Sequence, residues 1–192
     1  MEIERKILGI NKEEFVLRLR KLKAKKVFEA LVRVKYFDFE DGSIRAKKDL
    51  LRLREFVQKG KEPYTELVYK IYKGVKGGCK YFEELESRFD GKKHFKTLSD
   101  FLLGLGLKHT LSYEKKRTLY TLGKMHFEID EHPKMPAFVE IEGSSPKEIN
   151  KAVKLLGLQE YEQTADSISE LIKRKYPHLS LNGLKFRGWK KQ

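Results

Sequence analysis

The sequence predicts an α+β fold in which antiparallel β-structure dominates. Three observations lead there. Roughly eight segments show the apolar–polar alternation or branched and aromatic content of strands. Several of them are joined by short glycine turns that leave no room for a crossover helix. Only about four segments carry helical apolar spacing, and they are scattered between the strands.

The elements follow in order. Residues 2–8 alternate as a strand. Asn11, with Glu14 three residues later, marks a helix start, and Phe15, Leu19 and Leu22 form its apolar stripe within residues 12–26. Residues 31–39 (LVRVKYFDF) and 50–57 (LLRLREFV) read as strands, as do 65–73 (TELVYKIYK). Gly74, Gly77 and Gly78 turn the chain into a strand at 79–87. A helix is expected over 97–104, ending near Gly104 or Gly106. Residues 111–121 and 124–131 form a hairpin at Gly123, and 137–142 a further strand. Ser145 as cap, Pro146 at the first position, Glu148 at the third and Gly157 beyond the end define the next helix. A last helix is expected over 164–176, before Pro177.

The length of 192 residues suits one domain with a substantial core. No apolar run approaches the roughly 20 residues of a membrane span, and the start lacks a signal peptide's apolar segment, so a cytoplasmic setting without membrane contact is expected. The single cysteine, Cys79, excludes an internal disulfide and a cysteine zinc cluster. Among the histidines, His126 and His132 flank a turn and read as surface residues rather than ligands. The net charge of +14 favours polyanionic partners. Residues 173–192 hold seven Lys or Arg and no acid, as expected of a solvated tail or a nucleic-acid arm. Trp189 reads as an anchor for that tail or a contact with a neighbouring molecule.

The chemistry lies in the charges. Glu2, Glu4 and Lys6 recur at a spacing of two, which points all three to one face of a strand. An acid–aliphatic–acid triplet occurs four times (Glu2-Ile3-Glu4, Glu84-Leu85-Glu86, Glu128-Ile129-Asp130 and Glu140-Ile141-Glu142), against about one expected by chance. Basic residues share the spacing: Arg52 with Arg54, and Lys115 with Arg117. Lys80 shares a face with Glu84 and Glu86, and Lys70 lies mid-strand. If these strands curl into a barrel, two linings are open. Either the apolar residues face inward, or the charges do and helices cover the apolar outside. The second arrangement is costly unless a cation and a polyanion neutralise the charges. Carboxylates hold hard divalent cations, and Arg and Lys clamp phosphate oxygens.

These segments together resemble the CYTH family, the triphosphate tunnel metalloenzymes, whose members include class IV adenylate cyclases, thiamine triphosphatases and inorganic triphosphatases. Glu2-Ile3-Glu4-Arg5-Lys6 is similar to its ExExK signature. Tyr36-Phe37-Asp38, Leu51-Arg52-Leu53-Arg54 and Leu67-Val68-Tyr69-Lys70 resemble its YYD, LRIR and LTYK segments. Glu83-Glu84-Leu85-Glu86, Lys115-Lys116-Arg117, Asp130 and Phe138-Val139-Glu140-Ile141-Glu142 follow in the family's order. Phe82 stands where the family often has Arg, Met135-Pro136-Ala137 replaces a usual glycine turn, and Ile168 stands where a tyrosine is frequent.

The resemblance implies a closed antiparallel eight-stranded β-barrel with flanking helices over residues 1–176, followed by a basic tail at 177–192. It implies Mg²⁺ or Mn²⁺ as cofactor and a small-molecule triphosphate as substrate. Glu2, Glu4, Asp130, Glu140 and Glu142 would hold metal. Glu84 and Glu86 would support metal or fix neighbouring cations. Lys6, Arg52, Arg54, Lys70, Lys80, Lys115 and Arg117 would grip phosphates. Lys6 or Lys70 would assist catalysis if its neighbours lowered its pKa. The expected activity is hydrolysis of inorganic, thiamine or nucleoside triphosphate. The alternative is cyclisation of ATP to cyclic AMP and pyrophosphate. A third reading, polyphosphate or RNA binding without catalysis, is opposed by the carboxylates, which repel phosphates unless a metal intervenes.

Overall fold

Alternating sequences build the frame. The computed structural model describes residues 1–187. Its strands are β1 (Glu2–Ile7), β2 (Lys25–Asp38), β3 (Leu50–Val57), β4 (Tyr64–Lys76), β5 (Cys79–Asp90), β6 (Lys108–Leu122), β7 (Met125–Glu131), β8 (Phe138–Gly143) and β9 (Gln163–Thr164). Its helices are α1 (Lys12–Lys21), α2 (Ser43–Ala46), α3 (His94–Gly104), α4 (Pro146–Leu155) and α5 (Ile168–Lys175). The hydrogen-bond order is β5-β4-β3-β2-β6-β7-β8-β1-β9, and β5 also pairs with β1. Eight strands thus close into the ring of an antiparallel β-barrel, with β9 added on β1 and five helices flanking it: an α+β fold. Among the described residues, no helix is long and apolar enough to cross a membrane.

The chain folds as two compact units, which share out β2, β4, β5 and β6 between them. The first comprises residues 1–29, 73–83 and 116–167. Strand alternation sorts β1 here. Ile3 and Ile7 join Phe127, Ile129, Val139 and Ile141 in a core sealed by Phe15 and Leu19 of α1 and Ile149, Ala152 and Val153 of α4. Each such Ile, Leu, Val or Phe side chain is worth about 1.5–3 kcal/mol on full burial. Glu2, Glu4 and Lys6 point to the opposite face, away from the apolar side that α1 and α4 cover. Arg5 shares the helix-facing side with Ile3 and Ile7. Its guanidinium donates to the carbonyls of Gly77 and Gly78, to Asn150 Oδ1 at 2.7 Å and to Gln163 Oε1 at 3.0 Å. Gly77 and Gly78 both have positive φ, 59° and 68°, as a two-residue hairpin turn requires.

The second unit comprises residues 30–72, 84–115 and those from 168 onward. Phe37 and Leu53 pack with Ile44 of α2 and Leu102 of α3, and Leu51, Leu67 and Tyr69 extend that cluster. Arg52, Arg54 and Lys70 fall on the other face of the same strands.

Several expected boundaries move. The first helix ends at Lys21 because Lys23 takes positive φ (59°) and Ala24 N–H bonds back to the Leu19 carbonyl. The second strand starts earlier, at Lys25. The third helix begins at His94. Residues 163–164 are strand rather than the start of the last helix, because β1 offers them a free edge opposite Lys6 and Ile7. The short helix α2 carried no periodic signal. Asp38 builds it by accepting from the backbone N–H groups of Ile44 and Arg45. His132, expected at the surface, is buried and stacked on Phe138 with centroids 5.4 Å apart. The described part of the basic tail is docked: Leu181 and Leu184 are buried, Gly183 N–H donates to the Ser112 carbonyl at 2.7 Å, and Glu114 N–H to the Leu184 carbonyl at 2.8 Å. Trp189 lies outside the described residues.

Candidate functional site

Each unit carries its own charged cluster. In the first, register assembles an acidic trio. Glu4 on β1 lies opposite Glu142 on β8, and Glu2 follows two residues away on the same face. One carboxylate oxygen from each of Glu2, Glu4 and Glu142 lies within 4.8 Å of the others. Three hard oxygen donors at this spacing fit a divalent cation such as Mg²⁺ or Mn²⁺. Behind the trio, His126 on β7 sits opposite Glu142, with Nδ1 3.3 Å from Glu142 Oε2. That hydrogen bond raises the imidazole pKa, over the opposing effect of burial. Lys80 on β5 lies opposite Glu4.

One step along the face, the Lys6 ammonium lies 3.3 Å from Glu4 and 3.0 Å from Glu140. Burial pushes its pKa down, but Glu140 and Glu4 together push it further up. Lys6 is therefore held as a cation, and the lowered pKa that proton transfer would need is not what its neighbours provide. Next comes Arg117, which grips Asp130 with two nitrogens at 2.7 and 2.6 Å, Glu140 at 2.8 Å, and Glu128. These four side chains have little solvent access, between 1% and 13%. Burial drives the Glu128 carboxyl well above the ordinary range, and Glu142, Glu140 and Asp130 add repulsion that Arg117 only partly offsets.

In the second unit, Arg54 on β3 pairs with Glu66 on β4 at 2.9 Å and with Glu86 on β5 at 2.8 Å, while Glu84 stands 3.7 Å away. Lys70 reaches Glu84 at 3.1 Å. Arg52 sits among Tyr36, Glu84 and Tyr113. Burial opposes its charge, but these neighbours raise its pKa overall. Tyr36 is correspondingly lowered: burial works against ionisation, yet Arg52, Tyr113 and Lys115 outweigh it. Arg52 Nε and Arg54 Nε are buried and meet no hydrogen-bond acceptor among the described residues. A buried donor left unmade costs about 1–3 kcal/mol or more when charged, so this face is suited to an incoming anion.

The residues marked from sequence thus divide. Glu2, Glu4 and Glu142 converge. Asp130 and Glu140 stand on Arg117 and Lys6 rather than with the trio. Glu84 and Glu86 belong to the second unit's cations. Lys115 is buried beside Tyr36. Phe37 lies in the core, whereas Tyr36 is stacked on Tyr113 at 6.2 Å on the charged face. Sequence reasoning missed Glu128 as a site member, although it opens one of the four triplets and its alternation with Asp130 puts it on the same face.

Comparison with known proteins agrees with the fold. No curated protein matches the chain. Among solved structures, a conserved hypothetical protein from Pyrococcus furiosus is 27% identical with a TM-score of 0.67, the alignment covering 90% of this chain and 100% of that one. A candidate adenylate cyclase from Vibrio parahaemolyticus shares the fold at 16% identity and a TM-score of 0.69, covering 90% and 97%. So does a candidate adenylyl cyclase from Hippeastrum, described as having a dominant triphosphatase activity, at 17% identity and 0.64, covering 90% and 95%. The profile of the CYTH domain matches residues 1–168. With strand order, charged faces and that match in agreement, the chain belongs to the CYTH domain family.

Proposed function

We propose that this protein hydrolyses a triphosphate with the help of Mg²⁺ or Mn²⁺. The observation that carries this reading is the convergence of Glu2, Glu4 and Glu142 on one point beside a lysine that is locked as a cation. Carboxylates without a cation would repel the substrate, and a bound divalent ion would supply positive charge and fix phosphoryl oxygens. Asp130 and Glu140 hold Arg117 and Lys6 in place to meet phosphate oxygens. Lys80 and Lys115 add charge to the phosphate-binding set. In the second unit, Arg52, Arg54 and Lys70 exchange their carboxylate partners for phosphate oxygens, and Glu84 and Glu86 keep them oriented until then. Charge spreads over the equatorial oxygens in a loose transition state, and preorganised cations stabilise it as water attacks the terminal phosphorus in line. Lys6 and Lys70 act as electrostatic catalysts. A cytoplasmic setting accompanies this reading, with Cys79 buried as a free thiol.

Cyclisation is the second reading, because the Vibrio and Hippeastrum proteins are described as candidate cyclases. Product analysis separates the two. With Mn²⁺ and inorganic triphosphate, ATP or thiamine triphosphate, orthophosphate release is expected, and Glu142→Gln should lower it about 100-fold. Pyrophosphate with cyclic AMP would replace hydrolysis by cyclisation. No product from any of the three would end the enzymatic reading.

A further inference from the structure

The second unit's charged face does not stop at its phosphate-binding cations. Two residues beyond Arg54, Phe56 lies opposite Tyr64, and their rings stack with centroids 4.7 Å apart and planes within 6°. The Arg54 guanidinium stands 5.6 Å from the Phe56 centroid. On Tyr64 the Arg88 guanidinium lies only 3.7 Å from the ring centroid. The result is a ladder, Arg54–Phe56–Tyr64–Arg88. It stands on the side of β3 and β4 turned away from α3, so helix packing does not account for it.

The two ends of the ladder are held differently. Arg54 is buried among carboxylates. The Arg88 side chain is 56% exposed, and its ion pair is with Asp90, itself 70% exposed. Surface pairs of this kind are worth about 0–1 kcal/mol, and an exposed cation–π contact about 0.5–1. Arg88 is therefore a light cover. Beneath it Tyr64 is an electron-rich ring. Burial and Glu66 push its phenol up to about 12, so it stays neutral at physiological pH. A planar, delocalised guanidinium is a stand-in for a planar heterocycle.

We propose that the Tyr64 ring is a stacking subsite for a planar heterocycle attached to the triphosphate, which takes the place of Arg88. The preferred substrate is then a nucleoside triphosphate or a similar heterocycle-bearing triphosphate rather than the bare inorganic chain. This rests on the triphosphate reading above and deepens it.

The test separates the two. The full chain is titrated calorimetrically, with Ca²⁺ as the cation, with the β,γ-imido analogue of ATP and with inorganic triphosphate. The quantity read is the ratio of the two affinities. Tyr64→Leu should cut the preference for the ATP analogue about tenfold, the range found for base–aromatic stacking. Tyr64→Phe should keep it, because the ring remains. Arg88→Ala should increase it a few-fold by uncovering the ring. Equal responses of both ligands to Tyr64→Leu would overturn the subsite, as would binding of inorganic triphosphate without the ATP analogue. Binding of neither would overturn the triphosphate reading and the subsite with it. If both bind with the expected ratios but neither ATP nor triphosphate is turned over with Mn²⁺, the subsite stands and hydrolysis falls.

Discussion

Glu148 shows how much one side chain settles locally. Its carboxylate accepts from the Ser144 N–H at 2.7 Å and the Ser144 hydroxyl at 2.6 Å, while Ser145 Oγ accepts from the Glu148 N–H. The hydroxyl bond, then the backbone bond, holds its pKa below the ordinary carboxylate value of 4.5. A depressed folded pKa adds stability that is present above 4.5 and is lost as the pH falls through the folded value. The difference in chemical-denaturation stability between the wild-type protein and Glu148→Gln should therefore be largest near neutrality and shrink below pH 4.5. This cap was legible because all its partners lie within four residues. The clamp at Arg5 was not. Its partners are between 72 and 158 positions away, and a strand's alternation says which face a side chain takes but not what waits there. For the same reason the sequence could name Glu128 and Asp130 as neighbours on one face without showing that both converge on Arg117.

Elements were read best where periodicity and caps agreed. β1, β3 and α4 lie where the alternation and the Ser145-Pro146 signal put them. β9 and the start of α5 were misread because helical spacing near residue 164 competes with a strand edge that only the folded β1 provides. The segment around Leu184 was misread for the complementary reason. Its composition is that of a solvated tail, but Leu181 and Leu184 find apolar cover and its backbone finds β6. Leu184 forms a parallel bridge to Tyr113, and the Phe186 N–H donates to Glu114. Replacing Leu184 with Asp places an unpaired charge among apolar atoms. Thermal melting should drop by several degrees, and the amides of residues 183 and 114 should lose hydrogen-exchange protection before those of β3.

At the scale of the molecule, the closed ring of eight antiparallel strands was foreseeable through the family resemblance that the ordered motifs carry, whereas strand alternation alone left open whether a barrel forms and which face lines it. The division into two compact units was not foreseeable, because it cuts four strands partway along and no composition change marks the cut. If the acidic trio takes a divalent cation, Mn²⁺ must stabilise the folded state by mass action. Adding Mn²⁺ at 100 times its dissociation constant should raise stability by about 2.7 kcal/mol, and Glu4→Gln together with Glu142→Gln should abolish the shift. An unchanged melting curve in the wild-type protein would remove the cation from the trio. The ring also has a seam. β7 pairs with β6 only from Lys116 onward, and the backbone groups of Ser112 and Glu114 on that side are met by residues 182–184 instead. A chain clipped before Leu181 would bare that stretch as an open β-edge, ready to recruit a strand from another molecule, so proteolytic trimming of this protein would show itself first as self-association.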